Sequence, residues 1–192
     1  MTSLNEEIYY SHLLNLDLNA ELKQLTNHRF DDCVTVLRIH LMCEQMLVAW
    51  ICATKNDPNH FNNQKHKPTF SEKLKLASRL GFPEPIEEAF SIINDQRNNF
   101  AHDIKFKSID AGFIHKLTAI VSGFNGRGFD PETISVMKSN GVKYAVNCAH
   151  TPDSFKLCII YFSIQMKISF SVSPSNKLSE GGSKTAVITI AL

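Results

Sequence analysis

The chain has 192 residues, a formal net charge of +1 and 43% hydrophobic residues. That length holds one sizeable core, or one domain with an extension. The near-balance of charge excludes a general nucleic-acid-coating surface and leaves room only for a small basic cleft.

Residues 1–30 mix leucine with polar groups, and the segment from about Leu18 to His28 reads as a short helix. Asp31 and Asp32 follow Phe30, and either carboxylate can accept the orphan backbone N–H groups that open a helix. From Asp32 to about Thr54 no Pro or Gly interrupts the chain. Val34, Leu37, Leu41, Met42, Val48 and Ile51 recur there at three- and four-residue steps, which predicts a long, largely buried helix. Its polar members are Arg38, His40, Glu44 and Gln45, of which His40 and Glu44 share a face at i and i+4.

The stretch 55–69 is rich in Asn, Pro and Lys and predicts an exposed loop. His60 and His66 lie around it without cysteines or carboxylates at metal-ligand spacing, so no metal site and no cofactor is expected. Thr69 followed by Glu72 matches a capping box. The helix it opens places Phe70, Leu74 and Ala77 on one side, and Gly81 is its natural left-handed terminator. Pro85 suits the first turn of the next helix, about Glu84 to His102, with Ile86, Ala89, Phe90 and Ile93 facing inward.

A further helix is predicted for Ala111–Val121. Three glycines and a proline then break the chain between Ser122 and Glu132. Beyond Asp130 the signal is mixed. Residues 154–172 read as helix by length and as strand by their Ile, Tyr and Phe content, and the tail ends in a β-prone run. The expected organisation is a helical domain over 1–124 and a C-terminal extension over 125–192, helical or mixed, packed on the same domain.

The five cysteines, Cys33, Cys43, Cys52, Cys148 and Cys158, form no CxxC pair. With no basic segment leading into an apolar stretch at the N-terminus, they read as free thiols in a reducing cytoplasm. No uninterrupted apolar run reaches membrane-spanning length, so no membrane partner is expected.

Chemistry concentrates on the helix ending at His102. At about 100° per residue, Asn94, Asn98 and His102 form one stripe, with Asp95 close to it and Arg97 flanking it. A guanidinium offers a planar fork of donors to phosphodiester oxygens, and an imidazole exchanges a proton near neutral pH. An asparagine can hold a phosphate, a sugar hydroxyl or the histidine. RNA cleavage needs no metal when the 2′-hydroxyl is the nucleophile; the protein aligns it, neutralises developing charge and moves protons. The same spacing also arises on an ordinary solvated helix face, with His102 near the negative end of the helix dipole.

The sequences EKLKLASRLG and INDQRNNFAH, preceded by VLRIHLMCEQMLVAW, resemble the HEPN superfamily over roughly residues 30–121. The branch they are most similar to includes the mannitol operon repressor proteins. The resemblance implies a mainly α, antiparallel helical bundle, commonly a homodimer, with the motif Arg–polar–variable–His carried by Arg97, Asn98 and His102. It implies a metal-independent endoribonuclease whose cleft lies at the dimer interface, often restrained by an antitoxin protein. Arg97 then stabilises the phosphate, His102 transfers protons and Asn98 supports either. Asn94 and Asp95 are supporting residues; apart from the motif, Glu44 is expected to brace Arg97. Repressor-like members of the same branch act instead as regulatory, partner-binding proteins. Neither a helix-turn-helix with a basic recognition helix nor a basic arm is present, so sequence-specific DNA reading is not expected.

Overall fold

The Asp31 carboxylate accepts from the backbone N–H of Val34 and starts the longest helix of the molecule. The computed structural model describes residues 4–14, 31–62, 65–103, 108–125, 127–138, 141–173 and 186–190. The helix expected near Leu18–His28 lies outside these residues. The helices are α1 (Glu6–Leu14), α2 (Asp32–Lys55), α3 (Phe70–Arg79), α4 (Glu84–His102), α5 (Ala111–Gly123) and α6 (Asp153–Val172). The strands are β1 (Ile134–Lys138), β2 (Lys143–Ala145) and β3 (Ala186–Ile190). The protein is mainly helical.

Local chemistry sets the boundaries. Thr69 and Glu72 form a reciprocal capping box at the start of α3. Gly81, at φ +83°, takes the left-handed conformation after α3 that costs a residue with a Cβ most. Pro85 occupies the first turn of α4, where its missing N–H has no helical partner to lose. Asp110 caps α5 by accepting from the N–H of Phe113.

Helix α1 runs antiparallel to the C-terminal half of α2. Asn5 N–H reaches the Ala53 carbonyl at 3.1 Å, and Gln45 Nε2 donates to the His12 carbonyl at 3.2 Å. A run of aromatic rings, Tyr9, Trp50, Phe82 and Phe90, stitches α1, α2 and α4 together at centroid separations of 6.5, 5.2 and 5.5 Å. Edge-on and tilted packing of this kind adds to the area each ring removes from water. Ile86, Ala89, Phe90 and Ile93 of α4 are fully buried, as their spacing predicts.

One expectation about packing is corrected and one ambiguity is resolved. Val34, Leu37 and Leu41, expected in the core, are 47%, 37% and 61% exposed. The buried face of α2 is carried by Val36, Ile39, Cys43, Met46, Leu47 and Ile51. A helix apolar on nearly every side gives no unique inward direction from periodicity alone. Residues 154–172, ambiguous by composition, are helical. Leu157, Ile160, Tyr161, Ile164 and Ile168 of α6 enter the same core as α2, α4 and α5. Burial over several turns outweighs intrinsic β preference there.

The C-terminal region is mixed, with β1 central in a sheet of order β2-β1-β3. β1 pairs antiparallel with β2, through Val136 opposite Tyr144, and parallel with β3, through Val136 opposite Ile188. Ile134 and Val136 pack on Phe155 and Ile159 of α6, giving the sheet its own small core. Lys167 then locks α6 to the end of α5: its ammonium donates to the carbonyls of Val121 and Phe124 at 3.0 and 2.8 Å and pairs with Asp130 at 2.6 Å. Two helices, α2 and α6, are long and apolar enough to cross a bilayer, and 67% and 61% of their apolar windows are buried inside this fold.

Candidate functional site

Burial of its apolar face fixes the rotation of α4 and so the direction of its polar stripe. The first stripe residue turns inward. Asn94 Oδ1 accepts from His40 Nε2 at 3.1 Å, joining α4 to the middle of α2. The buried imidazole also lies against the Phe70 ring of α3, with centroids 4.3 Å apart. Burial pushes the His40 pKa below its ordinary value; the Asn94 hydrogen bond and the Glu44 carboxylate pull it up, and the Arg97 guanidinium pushes it down.

One turn further along, Arg97 and Asn98 are both half-buried. Arg97 Nη1 donates to Asn98 Oδ1 at 3.1 Å, which fixes one branch of the guanidinium. Among the described residues no carboxylate forms an ion pair with Arg97. His102 is the last residue of α4 and is exposed, with no hydrogen-bond partner among the described residues. Asp95 is exposed. The stripe therefore divides: Asn94 serves the interior, and Arg97, Asn98 and His102 form the outward group.

The expected brace between Glu44 and Arg97 is corrected. The Glu44 carboxylate pairs with Lys73 of α3 at 2.6 Å. Reading α2 and α4 alone offered no view of Lys73, because the ion pair depends on how α3 is laid across α2. His40 was visible as the i, i+4 companion of Glu44; its link to Asn94 was not. Glu44 and Lys73 instead line a groove of about 600 Å³ with Arg38, Leu41, Gln45 and Val48. Of the expected site residues, only Glu44 touches that groove.

No cluster of three or more His, Cys, Asp or Glu side chains with metal-binding geometry occurs among the described residues. His60 approaches Asp57 at 3.8 Å and His66 approaches Glu72 at 3.6 Å, as separate pairs. Arg97, Asn98 and His102 offer a cation that pairs with no carboxylate among the described residues, an amide that orients it and an accessible imidazole. No family model, no curated protein and no solved structure matches the chain.

Proposed function

We propose that the protein is a metal-independent endoribonuclease of the HEPN type, a cytoplasmic homodimer with Arg97, Asn98 and His102 at a cleft between its two copies. The observation that carries this reading is the half-buried Arg97, whose guanidinium is held by Asn98 and pairs with no acid among the described residues, with the exposed His102 one turn beyond Asn98. A guanidinium whose charge is not cancelled locally is suited to a phosphodiester. In the proposed reaction the 2′-hydroxyl oxygen attacks the adjacent phosphorus and the bond to the 5′-oxygen breaks. One His102 takes the hydroxyl proton, the His102 of the second copy protonates the departing oxygen, and Arg97 bears the charge that builds on the phosphoryl oxygens. The products are a 2′,3′-cyclic phosphate and a free 5′-hydroxyl. An antitoxin protein covering this cleft is the partner such an activity calls for.

The test is incubation of structured and single-stranded RNAs with the protein in EDTA, beside His102→Ala. The expected result is cyclic-phosphate product with the wild type alone. Equal cleavage by both proteins removes His102 from the mechanism, and none by either across the panel moves the assignment to the second reading.

That second reading is a regulatory, partner-binding protein of the mannitol operon repressor type. It is favoured by one observation, the outward stripe of Val34, Leu37 and Leu41 on α2. Successive exposed apolar residues along one helix are a feature of surfaces that bind other proteins.

A further inference from the structure

We infer that Cys148 and His150 form a reactive thiol–imidazole pair, a site at which the chain exchanges with low-molecular-weight disulfides. The pair lies in the turn between β2 and α6. Cys148 Sγ sits 3.1 Å from Nδ1 and 3.6 Å from Nε2 of His150, so the sulfur lies over the ring edge that joins the two nitrogens, nearer Nδ1. The Nε2 nitrogen lies 2.9 Å from the Lys143 carbonyl oxygen. A carbonyl only accepts, so the proton of the neutral ring resides on Nε2 and Nδ1 is left as the basic nitrogen beside the thiol.

The frame around the pair is tied down on several sides. Cys148 N–H donates to the Ala145 carbonyl, Thr151 N–H donates to the Cys148 carbonyl, and Ala145 N–H donates to Thr151 Oγ1. Tyr144 packs edge-on to the His150 ring at 6.0 Å and against Phe155 at 4.8 Å, which anchors the turn to α6. The imidazole is exposed and the thiol half-buried, so a small molecule reaches both.

The other thiols lack this setting. Cys43, Cys52 and Cys158 are buried, and burial pushes all three thiols up, Cys158 to about 12. Those sulfurs are held as inert thiols in the core. Cys33 is half-buried, with no imidazole hydrogen-bonded to it among the described residues.

In the exchange, a rotation of the Cys148 side chain brings the thiol into line with His150 Nδ1, the proton passes to that nitrogen, and the resulting imidazolium stabilises the thiolate beside it. The thiolate attacks one sulfur of the incoming disulfide. A new bond forms to Cys148 Sγ, the original S–S bond breaks, and the displaced thiolate takes a proton from the imidazolium and leaves as a thiol. Cys148 is oxidised and one half of the small disulfide is reduced, so no further oxidant is required.

The experiment is a time course of the folded full chain with glutathione disulfide, read by intact mass and by peptide mapping. The expected result is one adduct, formed first and fastest on Cys148. In His150→Gln, whose amide can still reach the Lys143 carbonyl but takes no proton, the Cys148 rate falls at least about tenfold. Cys148→Ser removes the fast adduct and Cys33→Ser leaves it, with circular dichroism confirming that each variant is folded. First labelling at Cys33, or an undiminished Cys148 rate in folded His150→Gln, overturns the proposal. If His150→Gln does not fold, the comparison of Cys148 with Cys33 in the wild-type chain decides it.

Discussion

His40 and Asn94 are joined across the interior, Nε2 to Oδ1 at 3.1 Å, and this hydrogen bond holds the helix carrying Arg97 against the middle of the longest helix. The histidine is buried and its pKa is lowered, chiefly by burial and against the pull of Asn94 and Glu44. The sign of its effect on stability follows. Below the ordinary value of 6.5 the unfolded chain takes up a proton that the folded His40 resists. The contribution of His40 is complete above that value and is lost as pH falls through the lower folded value. Urea unfolding at a series of pH values should therefore show stability dropping on the acid side. His40→Gln, which keeps a donor for Asn94 and does not titrate, should flatten that drop. A wild-type and a Gln variant with the same acid slope would exclude His40 as its source.

Asn94→Ala tests the other half of the same contact. It leaves the imidazole Nε2 buried without its acceptor, at a cost of about 1–3 kcal/mol in urea unfolding. In the proposed enzyme this substitution lowers the amount of folded protein more than the rate per folded molecule, because the Asn94 side-chain oxygen is engaged by His40.

The Glu44 carboxylate provides a direct comparison between what sequence and structure imply. The sequence reading linked it to Arg97; the structure links it to Lys73 at 2.6 Å, with the two side chains 28% and 13% exposed. A double-mutant cycle of Glu44→Ala with Lys73→Ala should yield a coupling of about 1 kcal/mol, and the cycle with Arg97→Ala a value near zero. The reverse order would reinstate the brace.

What the sequence made legible was the local chemistry. Asp31, Thr69 with Glu72, Gly81 and Pro85 each act within a few residues of themselves, and each sits where its own conformational preference and hydrogen-bonding capacity place it. Side chains whose partners come from distant elements were not legible. Lys73 meets Glu44 across 29 residues and Lys167 meets Val121 across 46. The outward direction of Leu41 had the same cause, since only the packing of α1, α3, α4 and α6 decides which side of an apolar helix remains uncovered. Arg97, Asn98 and His102 are legible because all three lie within two turns of one helix, whereas a Cys and a His two residues apart carry no sequence signal of contact until the turn between β2 and α6 folds the Cys148 sulfur onto the His150 ring.

Lys167 bears on how the C-terminal region is held. Its side chain is 2% exposed and serves two carbonyls at the end of α5 together with Asp130. Lys167→Met keeps much of the apolar stem and removes all three bonds, so about 2–4 kcal/mol should be lost in urea unfolding. Gly128→Ala should act on the same joint. Gly128 has φ +126°, and a Cβ there would lie 3.0 Å from Lys167 Cγ and 3.2 Å from its backbone. The expected cost is about 1–3 kcal/mol. Full stability in both variants would show that α6 is held to α5 by its apolar contacts alone.

The outward group on α4 separates charge from geometry. Arg97→Lys retains a cation but loses the planar fork, and with it the arrangement in which one branch is held by Asn98 and the others have no partner among the described residues. In the proposed nuclease Arg97→Lys should therefore resemble Arg97→Ala, each reducing cleavage by about 10²-fold or more, as loss of an oriented charge-stabilising donor does. Asn98→Ala should fall between them and the wild type, since it frees the guanidinium without removing it. His102 is exposed, so His102→Ala should leave thermal unfolding unchanged while abolishing the cyclic-phosphate product. If Arg97→Lys cleaves RNA as well as the wild type, a positive charge is all the site requires, and the guanidinium–amide pair is a feature of the helix surface rather than of catalysis.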